Sequence, residues 1–238
     1  MPSVPCLGIL LLDTSFPRIP GDVGHPDSYS FPTLMKTVPG ATVQRAVFEA
    51  DPSLINSFKD AALQMEAEGV CAITSSCGFL SPLQKKLAEG LRVPVFLSSL
   101  LQVPLVHTIT GGRIGILTAS APSLSEYILN QAGITDSIPL AIAGMQDSPA
   151  FSEPILKDGA ELQRDKVEEE VLEQAQKLLF DHPDISAFVF ECHNLAPYGK
   201  RVQNETGKPV FDIISFAEWV YHSIVKTGFP NPYPSPGE

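Results

Sequence analysis

The chain has 238 residues, 44% hydrophobic and 18% charged, with a formal net charge of −11. That composition supports a sizeable core, in one large domain or two small lobes. The acidic balance argues against nucleic acid or an anionic membrane as a main partner, since both call for basic patches. No apolar run approaches the ~20 residues of a membrane helix. The early "CLGILLL" lacks the basic flank and small-residue cleavage site of a signal peptide, so the chain reads as cytoplasmic, with no membrane partner. Four cysteines, Cys6, Cys71, Cys77 and Cys192, include no CxxC pair and read as free thiols, with no metal site expected.

In chain order, a first strand is expected over 6–12. Residues 13–40 follow, an aperiodic stretch rich in proline (Pro17, Pro20, Pro26, Pro32, Pro39). A long irregular loop inside a compact protein is usually a binding loop or lid, so residues 14–31 are expected to border a cleft. Further strands are expected over 42–48, 70–74, 93–97, 113–118, 138–143, 186–191 and 209–213. Residues 53–68 set Leu54, Phe58, Ala61, Ala62 and Met65 on one helical face, and 161–180 do the same with Leu162, Val167, Val171, Ala175 and Leu178. The final "GFPNPYPSPGE" reads as a mobile tail. Strands alternating with amphipathic helices predict a parallel α/β sheet covered on both faces.

An internal repeat carries the functional information. Cys77 is followed by Pro82 and by Pro94 in "VPVF"; Cys192 is followed at the same two offsets by Pro197 and by Pro209 in "KPVF". "LGILLLDTS" near the start has its counterpart in "IGILTAS" at 114–120. Two related halves are expected, each with a cysteine at the carboxyl end of a strand, where open parallel sheets bind ligands. Facing halves would place the thiols on opposite sides of one cleft. The start of a helix behind each favours the thiolate, lowering a pKa that is about 8.5 in a free cysteine. Such a pair suits removal of a proton from one face of a carbon and its return to the other. Cys6 and Cys71, inside strands, read as core. No GxSxG elbow, GxGxxG turn or Walker sequence is present.

These segments, "LGILLLDTS", "ITSSCGFL", "IGILTAS" and "FECHNLAPY", occur over nearly the whole chain in the order seen in the aspartate/glutamate/hydantoin racemase superfamily, which the sequence resembles. The resemblance implies two pseudo-symmetric, flavodoxin-like parallel-sheet lobes with the active site between them. Residues 1–105 plus the returning segment 215–238 would form one lobe, and 106–214 the other. It implies an isomerase without pyridoxal phosphate or any other cofactor: a racemase of an amino acid or related carboxylic acid, with Cys77 and Cys192 as catalytic acid and base. A homo-oligomer is compatible with it. It also places Asp13, Thr14, Gly78, Phe79, Thr118, Ser120, His193 and Asn194 around a small carboxylate substrate, His193 as an aid to its neighbouring thiol. Arg18, in the long loop, is a planar cation suited to that carboxylate. "CGFL" departs from the glutamate racemase pattern, so neither aspartate nor glutamate follows as substrate. Maleate-type isomerisation, arylmalonate-type decarboxylation and a non-catalytic binding role are the alternatives.

Overall fold

The computed structural model describes residues 4–228. All eight strands are short and parallel: β1 (Leu7–Leu11), β2 (Thr33–Thr37), β3 (Ala72–Ser75), β4 (Val95–Phe96), β5 (Arg113–Thr118), β6 (Leu140–Gly144), β7 (Ile185–Phe190) and β8 (Val210–Phe211). They form two four-stranded sheets, ordered β2-β1-β3-β4 and β6-β5-β7-β8. The two orders are the same topology, so the sequence repeat is a structural one. Each lobe inserts its strands in the same succession and covers them with helices: α1 (Leu54–Glu68), α2 (Gln84–Gly90) and α3 (Val103–Thr110) in the first half of the chain; α4 (Glu126–Gln131), the single turn α5 (Pro149–Phe151), α6 (Arg164–Asp181) and α7 (Gly199–Thr206) in the second; and α8 (Ile213–Ile224) at the end.

The apolar runs are strands because both sheet faces are covered. Five of the six residues of β7 are fully buried, the pattern of a central parallel strand rather than of a half-wet one. Packing there is tight enough to demand glycine in the next strand: a Cβ on Gly115 would lie 2.7 Å from the Phe188 ring. Helix α1 buries Leu54, Phe58, Ala61, Ala62 and Met65, the face expected from their spacing, and Gly69 closes it in the left-handed conformation. Helix α8 crosses back to the first sheet, where Phe216 packs on Phe96 with ring centroids 4.9 Å apart and Tyr221 stacks on Phe31 at 3.8 Å.

Two sequence expectations fail locally. Residues 42–48 are not a strand; Gln44–Phe48 form a wide helical turn. Val43, Ala46 and Val47 are the buried positions, a three-and-four spacing that belongs to a helix. Conversely, β2 lies inside the stretch expected to be irregular. It is an edge strand whose residues are partly exposed, so it has no continuous apolar signature. The expected tail falls outside the described residues except for Gly228. No helix among the described residues is long and apolar enough to cross a membrane.

Phe58 is fully buried under the first sheet, whereas Phe180, on α6, is 84% exposed. Phe58→Ala is therefore expected to lower the unfolding free energy in urea by about 3–5 kcal/mol. Phe180→Ala should stay within about 0.5 kcal/mol of the parent.

Candidate active site

Both lobes end their third strand in the same way. After β3 the Ser76 N–H bonds the Leu10 carbonyl; after β7 the Glu191 N–H bonds the Leu117 carbonyl. The next residue in each is the cysteine, and each cysteine precedes a short 3-10 segment, Gly78–Leu83 or His193–Tyr198. The pseudo-symmetry turns these two strand ends toward each other. Cys77 and Cys192, both buried, line one cavity of about 30 Å³ between the lobes. Cross-lobe hydrogen bonds fix this approach. The Ser99 hydroxyl donates to the Phe190 carbonyl at 2.5 Å, and the Ser99 N–H to His193 Nε2 at 3.1 Å. His193 Nδ1 lies 2.8 Å from the Ser75 carbonyl.

His193 is therefore held by main chain on both ring nitrogens. Burial lowers its pKa to about 4, against the opposing pull of the Ser75 carbonyl, so the ring is neutral near pH 7. Its tautomer follows: Nδ1 donates to Ser75 and Nε2 accepts from Ser99. The ring's geometry is that of a strut between lobes, and neither nitrogen is directed at Cys192.

The long loop closes the cavity from above. Arg18 donates to Asp22 at 2.7 Å and to Thr14 at 3.2 Å, with its guanidinium 4.6 Å from the centre of the Phe16 ring. Asn194 donates to the other Asp22 oxygen at 2.6 Å, and its own carbonyl oxygen lies 3.8 Å from Cys192 Sγ. A continuous polar chain thus runs from the loop to the second thiol. The other lobe pins the start of the loop: Asp158, in the left-handed region at φ 56°, accepts from the Ser15 and Phe16 N–H groups at 2.7 and 2.9 Å.

Thr14, Arg18, Gly78, Phe79, His193 and Asn194 line the cavity with the two thiols, as do residues 14–31 in part. Asp13, Thr118 and Ser120 do not. Asp13 faces solvent and accepts from the Gly40 N–H, while Ser120 pairs with Ser123. Thr118 lies beneath the cavity, donating at 2.6 Å to a group that sequence reasoning passed over, Glu191. Glu191 had been absorbed into the end of an apolar run. Its signal was available: an acid ends a strand that is otherwise apolar, at the position of Ser76 in the repeat. Asp22, 3% exposed, was likewise hidden in the aperiodic loop.

Electrostatics depart from the expectation of depressed thiol pKa values. Burial pushes Cys77 far up, the Glu191 carboxyl pushes further, and the Phe79 N–H offsets only part of this. Cys192 is raised for the same leading reasons, burial and then Glu191, against the Asn194 N–H. The short segments behind the thiols supply single N–H groups rather than a long helix's field, which is too little against complete desolvation. Burial also raises Glu191 to about 7, despite stabilising bonds from Thr118 and the Ala119 N–H. Near neutral pH the thiols hold their protons, and Glu191 is at its midpoint.

Because the folded Glu191 binds its proton more tightly than the unfolded one, its contribution favours folding below the unfolded pKa. That contribution is lost as pH rises from about 4.5 through about 7. The carboxylate then costs the empty fold about 3 kcal/mol at pH 8. Glu191→Gln, which has no proton to lose, is expected to match the parent in urea unfolding at pH 5 and to exceed it by a few kcal/mol at pH 8. An equal difference at both pH values would show that the group is not desolvated as described.

No family model matches the chain. In fold it is similar to allantoin racemase from Klebsiella pneumoniae (TM-score 0.65, 17% identity, 91% of this chain and 86% of that one) and to unliganded arylmalonate decarboxylase (TM-score 0.60, 14% identity, 96% of each chain). In sequence it is similar to proteins of another name. Dimethylsulfoniopropionate lyase of Durusdinium sp. clade D is 34% identical over 227 residues, covering 92% of this chain and 75% of that protein. Dimethylsulfoniopropionate lyase 7 of Emiliania huxleyi (strain CCMP1516) is 32% identical over 222 residues, covering 89% of this chain and 64% of its own length. These relatives overturn the expectation of an isomerase and of amino-acid racemisation. The shared fold had suggested both, but a fold hosts many chemistries. The chain has the two-lobe racemase-like fold, and it belongs to the dimethylsulfoniopropionate lyase family.

Proposed function

We infer that this chain cleaves a 3-sulfoniopropionate by β-elimination, as the name of its relatives implies for them. The observation that carries the reading is the pair of buried thiols at equivalent strand ends of one cavity, in a chain of this family. A base takes a proton from C2, next to the carboxylate. The C2–H electrons become the C2=C3 double bond, and the C3–S bond breaks with its electrons remaining on sulfur. Thiolate and zwitterion become thiol, acrylate and neutral dimethyl sulfide, so charge and atoms balance.

This chemistry relaxes the demand that the racemase reading placed on the site. A neutral sulfide leaves without needing a proton, and nothing is returned to C2, so one base suffices. It also makes sense of thiols that are protonated when the cavity is empty. A sulfonium at about 4 Å, at an effective dielectric near 20, favours a thiolate by about 4 kcal/mol, or about three pKa units. Substrate thus lowers the cost of the thiolate in the step that takes the C2 proton, while the protonated thiol stays the resting form.

Cys192 is the better candidate for that base. It is the thiol joined through Asn194 and Asp22 to Arg18. Among the described residues Arg18 spends two of its five N–H donors, on Asp22 and Thr14, leaving others for a carboxylate. A carboxylate held there sets C2, one bond further on, beside Cys192. Cys77 forms the opposite wall, toward the leaving group.

Acrylate and dimethyl sulfide released from dimethylsulfoniopropionate test the reading. Cys192→Ser is expected to lower kcat at least about 1,000-fold, since an alcohol is a far weaker acid than a thiol and general-base contributions run to about 10²–10⁴. Cys77→Ser should lose less. Absence of both products from the unaltered full-length protein would sink the lyase reading, and the reverse order of losses would move the base to Cys77. Arg18→Ala is expected to raise KM more than it lowers kcat, the signature of lost ground-state binding. Unchanged kinetics would remove Arg18 from the site.

A further inference from the structure

The two halves of the fold provide an internal control for Glu191. Ser76 and Glu191 occupy equivalent places, each directly before a thiol and each with its N–H on the neighbouring strand. In the first lobe the Ser76 hydroxyl accepts from the Leu12 N–H at 2.9 Å. In the second, the equivalent N–H, that of Ala119, turns to the Glu191 carboxyl. A hydroxyl would meet that structural need as Ser76 does. The glutamate adds a second oxygen, Oε1, which is fully buried and has no hydrogen-bond partner among the described residues. Leaving such an atom unmet forfeits its hydration with nothing in return.

The surroundings are arranged around that surplus oxygen. Thr118 secures Oε2 and fixes the carboxyl plane. Gly78, in the opposite lobe, packs directly on this residue: a Cβ there would clash first with the Glu191 main-chain carbonyl oxygen and then with Oε1. The titratable and charged groups sharing its cavity are Cys77, Cys192, neutral His193, and Arg18, whose charge is already met by Asp22. No unpaired cation faces Glu191 from any of them. A buried acid with a free oxygen, and no cation in reach, is matched by a ligand that brings the cation.

We propose that Glu191 is the onium-recognising residue of this site: Oε1 receives the positive end of a zwitterionic carboxylate whose other end lies on Arg18, so the cavity selects cationic carboxylates over neutral ones of the same shape. The proposal rests on the lyase reading for the nature of the positive group. Glu191 is neutral or half-ionised in the empty cavity and fully ionised beneath the onium, so binding releases a proton when the pH is below neutrality.

The test is calorimetric binding of two non-eliminating probes that differ in one atom, 3-(trimethylammonio)propionate and 4,4-dimethylpentanoate, to the full chain and to Glu191→Gln. The parent is expected to prefer the ammonio acid by at least about tenfold. At pH 6 its binding enthalpy should change with the ionisation enthalpy of the buffer. Glu191→Gln should bring the preference to within about twofold, abolish the buffer dependence and leave the affinity for the neutral acid in place. A urea unfolding transition of the variant at pH 8 at least as high as the parent's excludes misfolding as the cause. An undiminished preference in the variant would overturn the role of Glu191 while leaving the lyase reading standing. A parent with no preference for the cation would overturn both.

Discussion

Desolvation of acids in the cleft between the lobes is the constraint on which this structure turns. Two thiols and a carboxyl share one small cavity, and the one cation lining it among the described residues, Arg18, is already paired with Asp22. In such surroundings the thiols keep their protons and Glu191 loses its own only from about pH 7, because an ion there has lost water and gained no counter-charge. A cationic ligand offsets about three pKa units of the thiols' rise, which lowers the cost of the thiolate that takes a proton.

The scaffold makes that arrangement by duplication. Equivalent strand ends face one another, so any residue directly after β3 or β7 is delivered to the same cavity. Symmetry alone would yield two alike walls. The walls differ because one half carries serine before its thiol and the other glutamate, and because Thr118 is placed to hold the glutamate. A fold shared with a solved racemase, in a chain whose sequence relatives are named lyases, is consistent with a frame that supplies position and leaves chemistry to a few side chains.

The loop over residues 13–40 converts this cleft into a closed site. Its own hydrogen bonds, Arg18 with Asp22 and Thr14, shape it, and two contacts with the second lobe tie it down, at Asp158 and Asn194. The strained left-handed Asp158 is held by the bonds it accepts, an arrangement that concentrates backbone strain next to a binding cavity.

Much of this was legible in the sequence. Apolar runs buried on both faces betray parallel strands whatever their neighbours, and the matched offsets from Cys77 to Pro82 and Cys192 to Pro197 located both thiols at strand ends. The edge strand β2 and the turn at 44–48 were not legible, since exposure erases the apolar signal in one and short helical spacing imitates a strand in the other. The resemblance of the segments conveyed the fold but misdirected the reaction, because the segments that build the frame are not the side chains that choose the substrate. Asp22 and Glu191 escaped notice for a different reason, the one lying in an aperiodic loop and the other at the end of an apolar run. The sequence by itself determined most of the elements, the repeat and the place of both thiols at strand ends, all of which depend on local pattern. Only the tertiary structure decided which acids lie together without water and without a cation, because desolvation and charge pairing are properties of distance through space and not of order along the chain.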